Sequence, residues 1–363
     1  KMEAAREQLP FSYLKKKGWC VKMLAWKKSL GKYGLVKSDC KIPMIKDDEV
    51  LVKVLATGIC GTDFGIYKGF REVEEGLIPG HEFIGEIVKL GSSVTGYEVG
   101  DRVVPSIVKK CGKCPACIQG FEAQCENLLE IGIHINGSFA EYVAVPEVTL
   151  HKVGKDMDLK TGASIEPVAV AYSAVKKVLQ FIPGKDVLIY GPGAIGLYTA
   201  QIARIAGAGK ILMAGTAEDQ DRLELAKKNY NVEIVNVDEE DVDEKMKGCF
   251  KYGKADIIFE ATGVAAIIGK MLPQLRPHGE LILVGVYHDN SEMNLLPAGR
   301  GELTIRGTFC YTWSEFEYAI RLVEAGKINF DGIVDTVDLD HLDEGFERAM
   351  SKEAIKIVAY SKA

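Results

Sequence analysis

The sequence lacks the features that mark membrane-bound, secreted or disordered proteins. No uninterrupted apolar run approaches the roughly 18 residues needed to cross a bilayer. The apolar triplet at residues 19–21 ends at Lys22, far short of the about 7–15 apolar residues of a secretory signal, so we expect no signal peptide. Internal repeats and low-complexity tracts are also missing. We therefore expect an ordinary globular protein.

Positively charged residues are fewer than negatively charged ones. Lys and Arg total 45 against 51 Asp and Glu, which gives a formal net charge of -6. That balance argues against a protein that coats nucleic acid, and we expect no nucleic-acid or membrane partner. The 363 residues are 47% hydrophobic and 26% charged, a composition typical of a soluble protein with about two domains.

The nine cysteines are not spread like a disulfide framework. An odd number cannot all pair within one chain, and four of the nine lie between residues 111 and 125. We interpret them as reduced thiols, some of which hold metal, and therefore predict a cytoplasmic location.

The chain has three parts with different patterns. Residues 1–20 show no strand alternation, and we interpret this extension as a solvated tail or an oligomer arm. From there to about residue 150, segments such as 49–55 and 82–88 predict short β-strands separated by glycine-containing turns. After about residue 160, strands alternate with helices, which predicts a parallel sheet with right-handed crossovers. The fold class is therefore α/β, with a β-rich domain and a doubly wound domain.

One glycine turn predicts a dinucleotide site. It follows a predicted strand at 186–190 and opens a predicted helix at 194–206, and this context favours cofactor binding over a turn that merely packs. The first glycine allows the tight turn, the second lets a pyrophosphate approach the backbone, and the third brings helix and strand together. The motif G-x-G-x-x-G is formed by Gly191, Pro192, Gly193, Ala194, Ile195 and Gly196.

The next strand leaves the choice of cofactor open. Its end usually carries a carboxylate for the ribose 2′-hydroxyl, yet here Gly215 and Thr216 stand there. Arg222 nearby would accept a 2′-phosphate in such an uncharged site. Alternatively, Glu218 or Asp219 would turn back to a hydroxyl. We favour NADP over NAD.

Four clustered cysteines predict a structural zinc site. Cys111, Cys114, Cys117 and Cys125 follow the spacing C-x2-C-x2-C-x7-C, and four thiolates complete a tetrahedral shell without an open position. A bacterial iron–sulfur run has a shorter last gap and a proline after it, whereas Glu126 follows here. Zinc is favoured, in the role of stabilising a loop.

Three further residues are competent zinc ligands but lie far apart in the sequence. They are Cys60, His81 and Glu166, a thiol, an imidazole and a carboxyl. Taken singly, each is more typical of a core or surface group. Together, three protein ligands and a water would make a catalytic site.

The glycine-rich motif around His81 resembles the pattern G-H-E-x2-G-x5-G-x2-V of zinc-containing medium-chain alcohol dehydrogenases. The segment 60–63 (Cys-Gly-Thr-Asp), the four cysteines and the glycine turn follow in that family's order, from about residue 21 onward. Glu166-Pro167, Phe309 and Tyr311 most resemble the polyol (sorbitol) branch, with threonine dehydrogenases as relatives. The motif itself consists of Gly80, His81, Glu82, Gly85, Gly91 and Val94.

The resemblance implies a division into domains. Residues 21–168 would form a GroES-like catalytic domain, with the structural-zinc lobe at 111–125. A Rossmann domain would span residues 169–304, and residues 305–363 would complete the catalytic domain. A homodimer or homotetramer is implied, with an edge strand at 280–286 pairing between subunits.

The resemblance also implies a catalytic zinc site. Cys60 and His81 would bind the ion. Glu82 would be either the third ligand or a nearby carboxylate that can swing onto the metal, and Glu166 would bind the metal or hold its water. An open position on zinc lowers the pKa of a bound oxygen by several units, so an alcohol can lose its proton near neutral pH.

Other roles follow from the same resemblance. Asp63 would accept a hydrogen bond from His81, and Thr62 would bind the substrate oxygen and pass its proton outward. On the cofactor side, Val284 and Val286 are expected beside the nucleotide.

Two departures from the family pattern affect the proton path and the substrate. Gly65 replaces a histidine that ends the proton relay in many relatives, and Cys310 replaces an arginine frequent in polyol dehydrogenases. The sequence predicts a zinc-dependent oxidoreductase that transfers a hydride between a secondary alcohol, a polyol or sugar derivative, and NAD(P). An L-threonine-type amino-alcohol dehydrogenase is the alternative, and a non-enzymatic NAD(P)-binding sensor is the third hypothesis.

Overall fold

The computed structural model describes residues 22–362, which form two compact units. The first unit combines the residues up to Glu166 with those from Ile333 onward, and the second is Pro167–Gly332. The predicted extension at residues 1–20 lies outside the described residues. Within residues 22–362, no helix has the length and apolar character needed to cross a membrane.

The strands are numbered in chain order across both units. They are β1 (Lys22–Lys27), β2 (Val36–Lys41), β3 (Glu49–Gly58), β4 (Glu82–Leu90), β5 (Arg102–Pro105), β6 (Val108–Lys109), β7 (Leu129–Glu130), β8 (Tyr142–Pro146), β9 (Leu150–Lys152), β10 (Val187–Tyr190), β11 (Ile211–Gly215), β12 (Glu233–Asn236), β13 (Ala255–Glu260), β14 (Leu275–Leu283), β15 (Thr304–Gly307), β16 (Val334–Asp338) and β17 (Lys356–Tyr360).

The α-helices are numbered in the same way. They are α1 (Gly61–Lys68), α2 (Pro115–Ile118), α3 (Leu159–Ala163), α4 (Ile165–Lys176), α5 (Ala194–Ile205), α6 (Gln220–Tyr230), α7 (Val242–Cys249), α8 (Ile268–Met271), α9 (Leu296–Gly301), α10 (Trp313–Glu324) and α11 (Leu342–Met350). Short 3-10 helices lie at Glu122–Gln124, Glu147–Thr149, Ala217–Asp219, Ala265–Ile267, Leu272–Gln274 and Leu339–His341.

The main sheet of the first unit is mostly antiparallel. Its strand order is β16-β17-β3-β4-β5-β9, and β8 pairs with β3. The β-branched residues of β3 alternate along a strand that is largely buried, and Val50, Val52 and Val54 join one core cluster. The late strand β17 lies between β16 and β3, so residues from the far end of the chain enter the centre of the first unit.

The second unit confirms the predicted parallel sheet. Its order is β12-β11-β10-β13-β14-β15, and every pair is parallel. Numbered from the first strand of the unit, this is the 3-2-1-4-5-6 order of dinucleotide-binding sheets. The two central strands, β10 and β13, are short and buried along their length, as expected for strands covered on both faces.

Two details differ from the sequence-based expectations. The strand predicted as an edge at 280–286 pairs on both sides, so that expectation was wrong, and β15 forms the edge instead. The sequence of β15, TIRG, is too short and too polar to mark a strand by its pattern. Because β15 extends the parallel sheet, residues 305–332 group with the second unit rather than with the segment that follows.

Candidate metal centres and cofactor turn

Sheet register brings three predicted metal-site residues together in the first unit. Residues Gly58 and Glu82 are direct partners in the β3–β4 pair. Cys60, the N-cap of α1, follows the end of β3, and His81 precedes the first residue of β4. One ligand atom each from Cys60, His81 and Glu82 lie within 4.8 Å of one another. We call these three residues the dispersed site.

Polar atoms around the dispersed site are buried without partners. Asp63 accepts a hydrogen bond from the backbone N–H of Cys60 through Oδ2, at 2.9 Å. Its Oδ1 lies 3.8 Å from His81 Nδ1, adjacent as expected but too far for the expected hydrogen bond. Within residues 22–362, Thr62 Oγ1, Asp63 Oδ1 and His81 Nδ1 have no hydrogen-bond partner. Such unsatisfied atoms in one place indicate a site built for a further group.

The electrostatics of the dispersed site favour a cation. Burial alone would lower the pKa of His81, but the charges of Asp63, Cys60 and Glu166 raise that pKa well above its usual value. Burial also raises the pKa of Asp63, which the positive charge of His81 opposes. Acidic groups at this point still outnumber the cationic ones, which are the imidazole of His81 and the ammonium of Lys356. Zinc binds thiolate, imidazole and carboxylate, so this donor set fits the ion.

Glu166 lies near the dispersed site but does not join its closest group. It is in the first turn of α4, is buried, and its charge contributes to the raised pKa of His81. Its carboxylate is not among the ligand atoms that converge within 4.8 Å. Glu82 is the carboxylate that does converge.

Sequence reasoning missed Lys356, the first residue of β17. Its side chain is 4% exposed, and its ammonium forms an ion pair with the Glu82 carboxylate. It also donates a hydrogen bond to the carbonyl oxygen of Ile59 at 2.8 Å. No local pattern marks this lysine, because its partners lie almost the whole chain away.

The four cysteines between residues 111 and 125, here called the four-cysteine lobe, also converge. One sulfur from each of Cys111, Cys114, Cys117 and Cys125 lies within 4.8 Å of the others. Cys114 is the N-cap of α2, and the Cys125 sulfur accepts hydrogen bonds from the backbone N–H of Cys111 (3.3 Å) and of Asn127 (3.4 Å). Backbone N–H donors lower the pKa of the Cys111 thiol to about 6. Four sulfur donors without a carboxylate or imidazole fit a closed zinc site.

In the second unit, the glycine turn at 191–196, here called the cofactor turn, joins β10 to α5. Gly191 has a φ of 99°, a conformation that favours glycine. A Cβ on Gly196 would overlap the carbonyl oxygen of Gly191, so only glycine allows the helix to pack this close. Gly193 is the N-cap of α5, and a Cβ there would meet nothing within 4 Å. The backbone N–H groups of Ala194 and Ile195 begin the helix beside this open space.

The predicted 2′-region follows β11, which ends at Gly215. Asp219 turns back to cap its own turn, because its Oδ2 accepts hydrogen bonds from the Thr216 backbone N–H (3.2 Å) and hydroxyl (2.9 Å). Arg222 lies 3.7 Å from Asp219, while Glu218 is exposed. The structure therefore keeps Asp219 and Arg222 together at the strand end.

A second carboxylate, that of Glu260, was not noticed in the sequence. It holds the loops that follow the carboxyl ends of β13 and β14. Glu260 ends β13, is fully buried, and accepts a hydrogen bond from the Thr262 backbone N–H at 2.7 Å and another from the Tyr287 hydroxyl. Val284 and Val286 follow the end of β14, and the Val284 N–H donates to the Glu260 carbonyl. Val284 and Val286 thus lie at the same end of the parallel strands as the cofactor turn.

A surface cavity of about 650 Å³ lies at the opposite end of the parallel strands from the cofactor turn. Its lining comes from residues at the amino ends of the parallel strands, where Asp256 pairs with Arg276 (2.6 Å) and Lys185 (3.6 Å). Ligands of open α/β sheets bind at the carboxyl ends of the strands, so we do not assign the cofactor to this cavity.

Comparison with known protein families matches both units. The family model described as "Alcohol dehydrogenase GroES-like domain" matches residues 46–155. The model described as "Zinc-binding dehydrogenase" matches residues 194–325.

Individual relatives align over nearly the whole chain. D-arabinitol dehydrogenase 1 of Uromyces fabae is 32% identical over 332 residues, which is 90% of this chain and 93% of the relative. L-threonine 3-dehydrogenase of Pyrococcus horikoshii is 33% identical over 93% of this chain and 98% of its own length. The crystal structure of a zinc-binding dehydrogenase from Sinorhizobium meliloti 1021 bound to NADP superposes with a TM-score of 0.85 at 30% identity, covering 94% of this chain and 99% of that one.

Proposed function

This chain belongs to the zinc-containing alcohol dehydrogenase family, and we propose that its substrate is a secondary alcohol of the polyol or sugar-alcohol class. It is an oxidoreductase that uses zinc and NAD or NADP to transfer a hydride between an alcohol and the nicotinamide. The polyol class is supported by the 32% identity with a D-arabinitol dehydrogenase and by Glu166-Pro167.

The observation that carries this proposal is the convergence of Cys60, His81 and Glu82 within 4.8 Å. Together with the four-cysteine lobe, this gives the first unit two donor sets of different chemistry. The lobe offers four thiolates, a closed shell, whereas the dispersed site offers a mixed set that can leave one position open. An open position lets zinc bind an alcohol oxygen and make it more acidic, which favours loss of the hydride to a nicotinamide.

The residues of this chain would divide the chemistry as follows. When bound, zinc supplies a Lewis acid that makes an alcohol oxygen more acidic. Cys60 and His81 hold the ion, and Glu82 or Glu166 supplies the carboxylate. The buried Thr62 hydroxyl, which lacks a partner in the described residues, holds the substrate oxygen and accepts its proton. Because Gly65 leaves no histidine relay, the proton then passes from Thr62 to water.

For the cofactor, we propose NADP ahead of NAD. The strand end carries no carboxylate at Gly215, and the charge of Asp219 is compensated by Arg222 and by two bonds from Thr216. Arg222 would meet the 2′-phosphate. We further propose that the residues of the cofactor turn, with Val284 and Val286, contact the nucleotide.

Two broader properties are also proposed. The eight described cysteines are all free, which supports a reducing, cytoplasmic location.

The exposed edge strand β15 supports assembly of the chain into a homodimer or homotetramer, in which β15 of one subunit pairs with β15 of another. Light scattering of the purified protein measures the oligomer directly.

The test is a substrate panel of polyols, sugar alcohols and amino alcohols, each with NAD and with NADP. We expect turnover of a polyol or sugar alcohol and about two zinc ions per chain by metal analysis. Turnover of threonine alone would instead support the amino-alcohol function, which the 33% identity with a threonine dehydrogenase favours. Cofactor binding without any turnover would support the sensor hypothesis, and zinc in the four-cysteine lobe alone would defeat the dehydrogenase proposal.

A further inference from the structure

Glu260 is a fully buried carboxylate whose partners are all uncharged. Its Oε1 accepts hydrogen bonds from the Thr262 hydroxyl and from the backbone N–H groups of Thr262 (2.7 Å) and Gly263 (3.2 Å). Its Oε2 accepts one from the Tyr287 hydroxyl and shares the Gly263 N–H at 3.3 Å. Within residues 22–362, no lysine or arginine forms an ion pair with this carboxylate.

The hydrogen bonds around Glu260 suit its ionised form. A backbone N–H can only donate and an ionised carboxylate can only accept, so both oxygens have the partners that a negative charge requires. Burial and the hydrogen bond to Glu260 raise the pKa of Tyr287, so the phenol keeps its proton and remains a donor. These dipoles make the burial of the charge tolerable but do not cancel it. Its field is weakly screened, because the surroundings have a low dielectric constant.

The topology of the sheet relates this charge to one half of a dinucleotide. The pyrophosphate of such a cofactor binds where the strand order reverses, and its two nucleotide halves extend over the strands on either side. The strand β11, which carries the 2′-region, pairs with one side of β10. The strand β13, which ends at Glu260, pairs with the other side. The adenosine half would therefore lie toward β11, and the nicotinamide half toward β13.

The loops held by Glu260 also contact the cofactor turn. A Cβ on Gly191 would lie 3.0 Å from Thr262 Cγ2, so the loop after β13 packs against that turn. A Cβ on Gly285 would lie only 2.6 Å from the Glu260 carboxylate, so glycine lets the loop after β14 approach the charge. The segments 257–264 and 281–287 contain no charged residue besides Glu260. No neighbour in these two segments therefore compensates its charge.

The nicotinamide ring carries a positive charge when it is oxidised and is neutral when it is reduced. We infer that the buried charge of Glu260 discriminates between these two states and strengthens binding of the oxidised cofactor relative to the reduced one. A charge close to the ring is one means by which a protein tunes the redox properties of a cofactor. The inference rests on the proposed function, since it uses the proposed contacts between the nucleotide and this end of the sheet.

The chain contains a matched control on the neighbouring strand. Glu280 on β14 is 1% exposed and accepts hydrogen bonds from the backbone N–H groups of Leu179 (2.9 Å) and Gln180 (2.8 Å). It pairs with Ile257, three residues before Glu260, and so lies about 10 Å further from the carboxyl ends of the strands. Substitution of Glu280 reports the cost of removing a buried carboxylate that is remote from the proposed cofactor site.

The experiment measures Kd for NADP⁺ and for NADPH by calorimetric titration of the zinc-loaded protein, and uses the NAD pair if the protein prefers it. In Glu260→Gln the amide oxygen can keep the bonds made by Oε1, and the amide N–H can donate to the Tyr287 hydroxyl, so that mainly the charge is lost. We expect the ratio of Kd for the oxidised form to Kd for the reduced form to rise about 3- to 30-fold. A tenfold rise corresponds to about 30 mV in the reduction potential of the bound cofactor.

Two substitutions of Tyr287 separate charge from loop position. Tyr287→Lys leaves the carboxylate in place and brings an ammonium to it, so the same ratio should rise even if Glu260→Gln fails to fold. Tyr287→Phe removes the hydroxyl but no charge, so any weakening should be equal for the two forms of the cofactor. Glu280→Gln should lower the melting temperature and leave the ratio unchanged.

Three results would overturn the inference. The first is a Glu260→Gln protein in which both forms of the cofactor weaken by the same factor or bind as before. The second is an unchanged ratio in a folded Tyr287→Lys protein. The third is a change in Glu280→Gln as large as that in Glu260→Gln, since the effect would then not depend on the position of the charge.

The design also separates this inference from the proposed function. If the unchanged protein binds both forms of the cofactor but oxidises no alcohol in the panel, the polyol proposal fails, yet the ratio still decides the role of Glu260. If the protein is active and the variants keep its ratio, only the inference fails. A protein that binds neither form would overturn both.

Discussion

The four-cysteine lobe and the dispersed site lie in the same unit but are built in opposite ways. The lobe draws four identical donors from fifteen consecutive residues, and two backbone N–H groups support the Cys125 sulfur. The dispersed site draws a thiol, an imidazole and a carboxylate from separate segments, and adds a lysine from β17. The lobe offers four thiolates, enough to fill a tetrahedral shell, whereas the dispersed site offers three donors of different chemistry.

The difference teaches which donor sets local spacing can build and which need tertiary structure. Local spacing suffices to fill a shell, because neighbouring residues on a loop can all turn inward. Bringing three different donors together from separate segments requires tertiary structure, because the β3–β4 register places Glu82 beside the residues that precede Cys60. The two regions should therefore fail differently when a ligand is removed.

The largest expected effect is the loss of turnover in Cys60→Ala. Removing this thiol weakens the metal that makes the alcohol acidic, and we expect kcat to fall by about a thousandfold or more, equivalent to several kcal/mol. Cofactor binding, measured by fluorescence titration, should persist because the cofactor turn lies in the other unit. Cys40→Ala is the control, a partly buried cysteine on β2 outside both metal groups. Full activity in Cys60→Ala would remove the dispersed site from the mechanism.

Next comes Cys114→Ala, which should act through stability. Loss of a thiolate from the closed shell removes metal-binding free energy from the native state, and we expect roughly 3 kcal/mol or more of destabilisation in chemical denaturation. The zinc content should fall by one ion per chain. Cys249→Ala provides the control, because this cysteine on α7 belongs to neither metal group. Unchanged stability together with unchanged zinc content would contradict the assignment of the lobe.

A variant of the cofactor turn should affect cofactor binding without affecting either metal site. In Gly191→Ala the new Cβ would lie 3.0 Å from Thr262 Cγ2 at a φ of 99°, so we expect KM for the cofactor to rise about tenfold through a displaced turn. Both zinc ions should remain. Gly184→Ala is matched to it, with a φ of 79° and open space at the other edge of the sheet, and should leave that KM unchanged.

The smallest effect is expected for Gly112→Ala, within the lobe. Its φ is 75° and nothing lies within 4 Å of a new Cβ, so only backbone strain of about 1 kcal/mol opposes the substitution. Thermal unfolding should reveal that cost while zinc content and kcat stay constant. Gly248→Ala, in α7 and equally open, should not destabilise. A loss of zinc in Gly112→Ala would mean that the lobe is less tolerant than its open surroundings imply.

Sequence reasoning succeeded where the determining signal is local. The alternation of strands and helices after about residue 160 predicted the parallel sheet, and the spacing of the four cysteines predicted a group that converges in the structure. It was weaker where contacts are long-range. Lys356 reads as the polar start of an apolar strand, and only the pairing of β17 with β3 shows that its side chain turns toward Glu82.

Short or irregular elements explain the remaining differences. The edge strand β15 has four residues, too few for alternation to distinguish it from a loop, so the edge was assigned to the preceding strand. The hydrogen bond expected from His81 to Asp63 is not formed, because the two atoms are 3.8 Å apart, a separation set by side-chain packing that no spacing rule encodes.

The position of β17 also has a consequence for biosynthesis. A ribosome must make residues 167–332 before it reaches the strand that pairs with β3 and delivers Lys356. Until then the last residues of β3, Ala56–Gly58, lack a partner strand on one side, a surface prone to wrong association in nascent chains. Prematurely released products would thus lack both a finished sheet and the lysine, so that truncation eliminates folding and turnover together rather than yielding a partly active fragment.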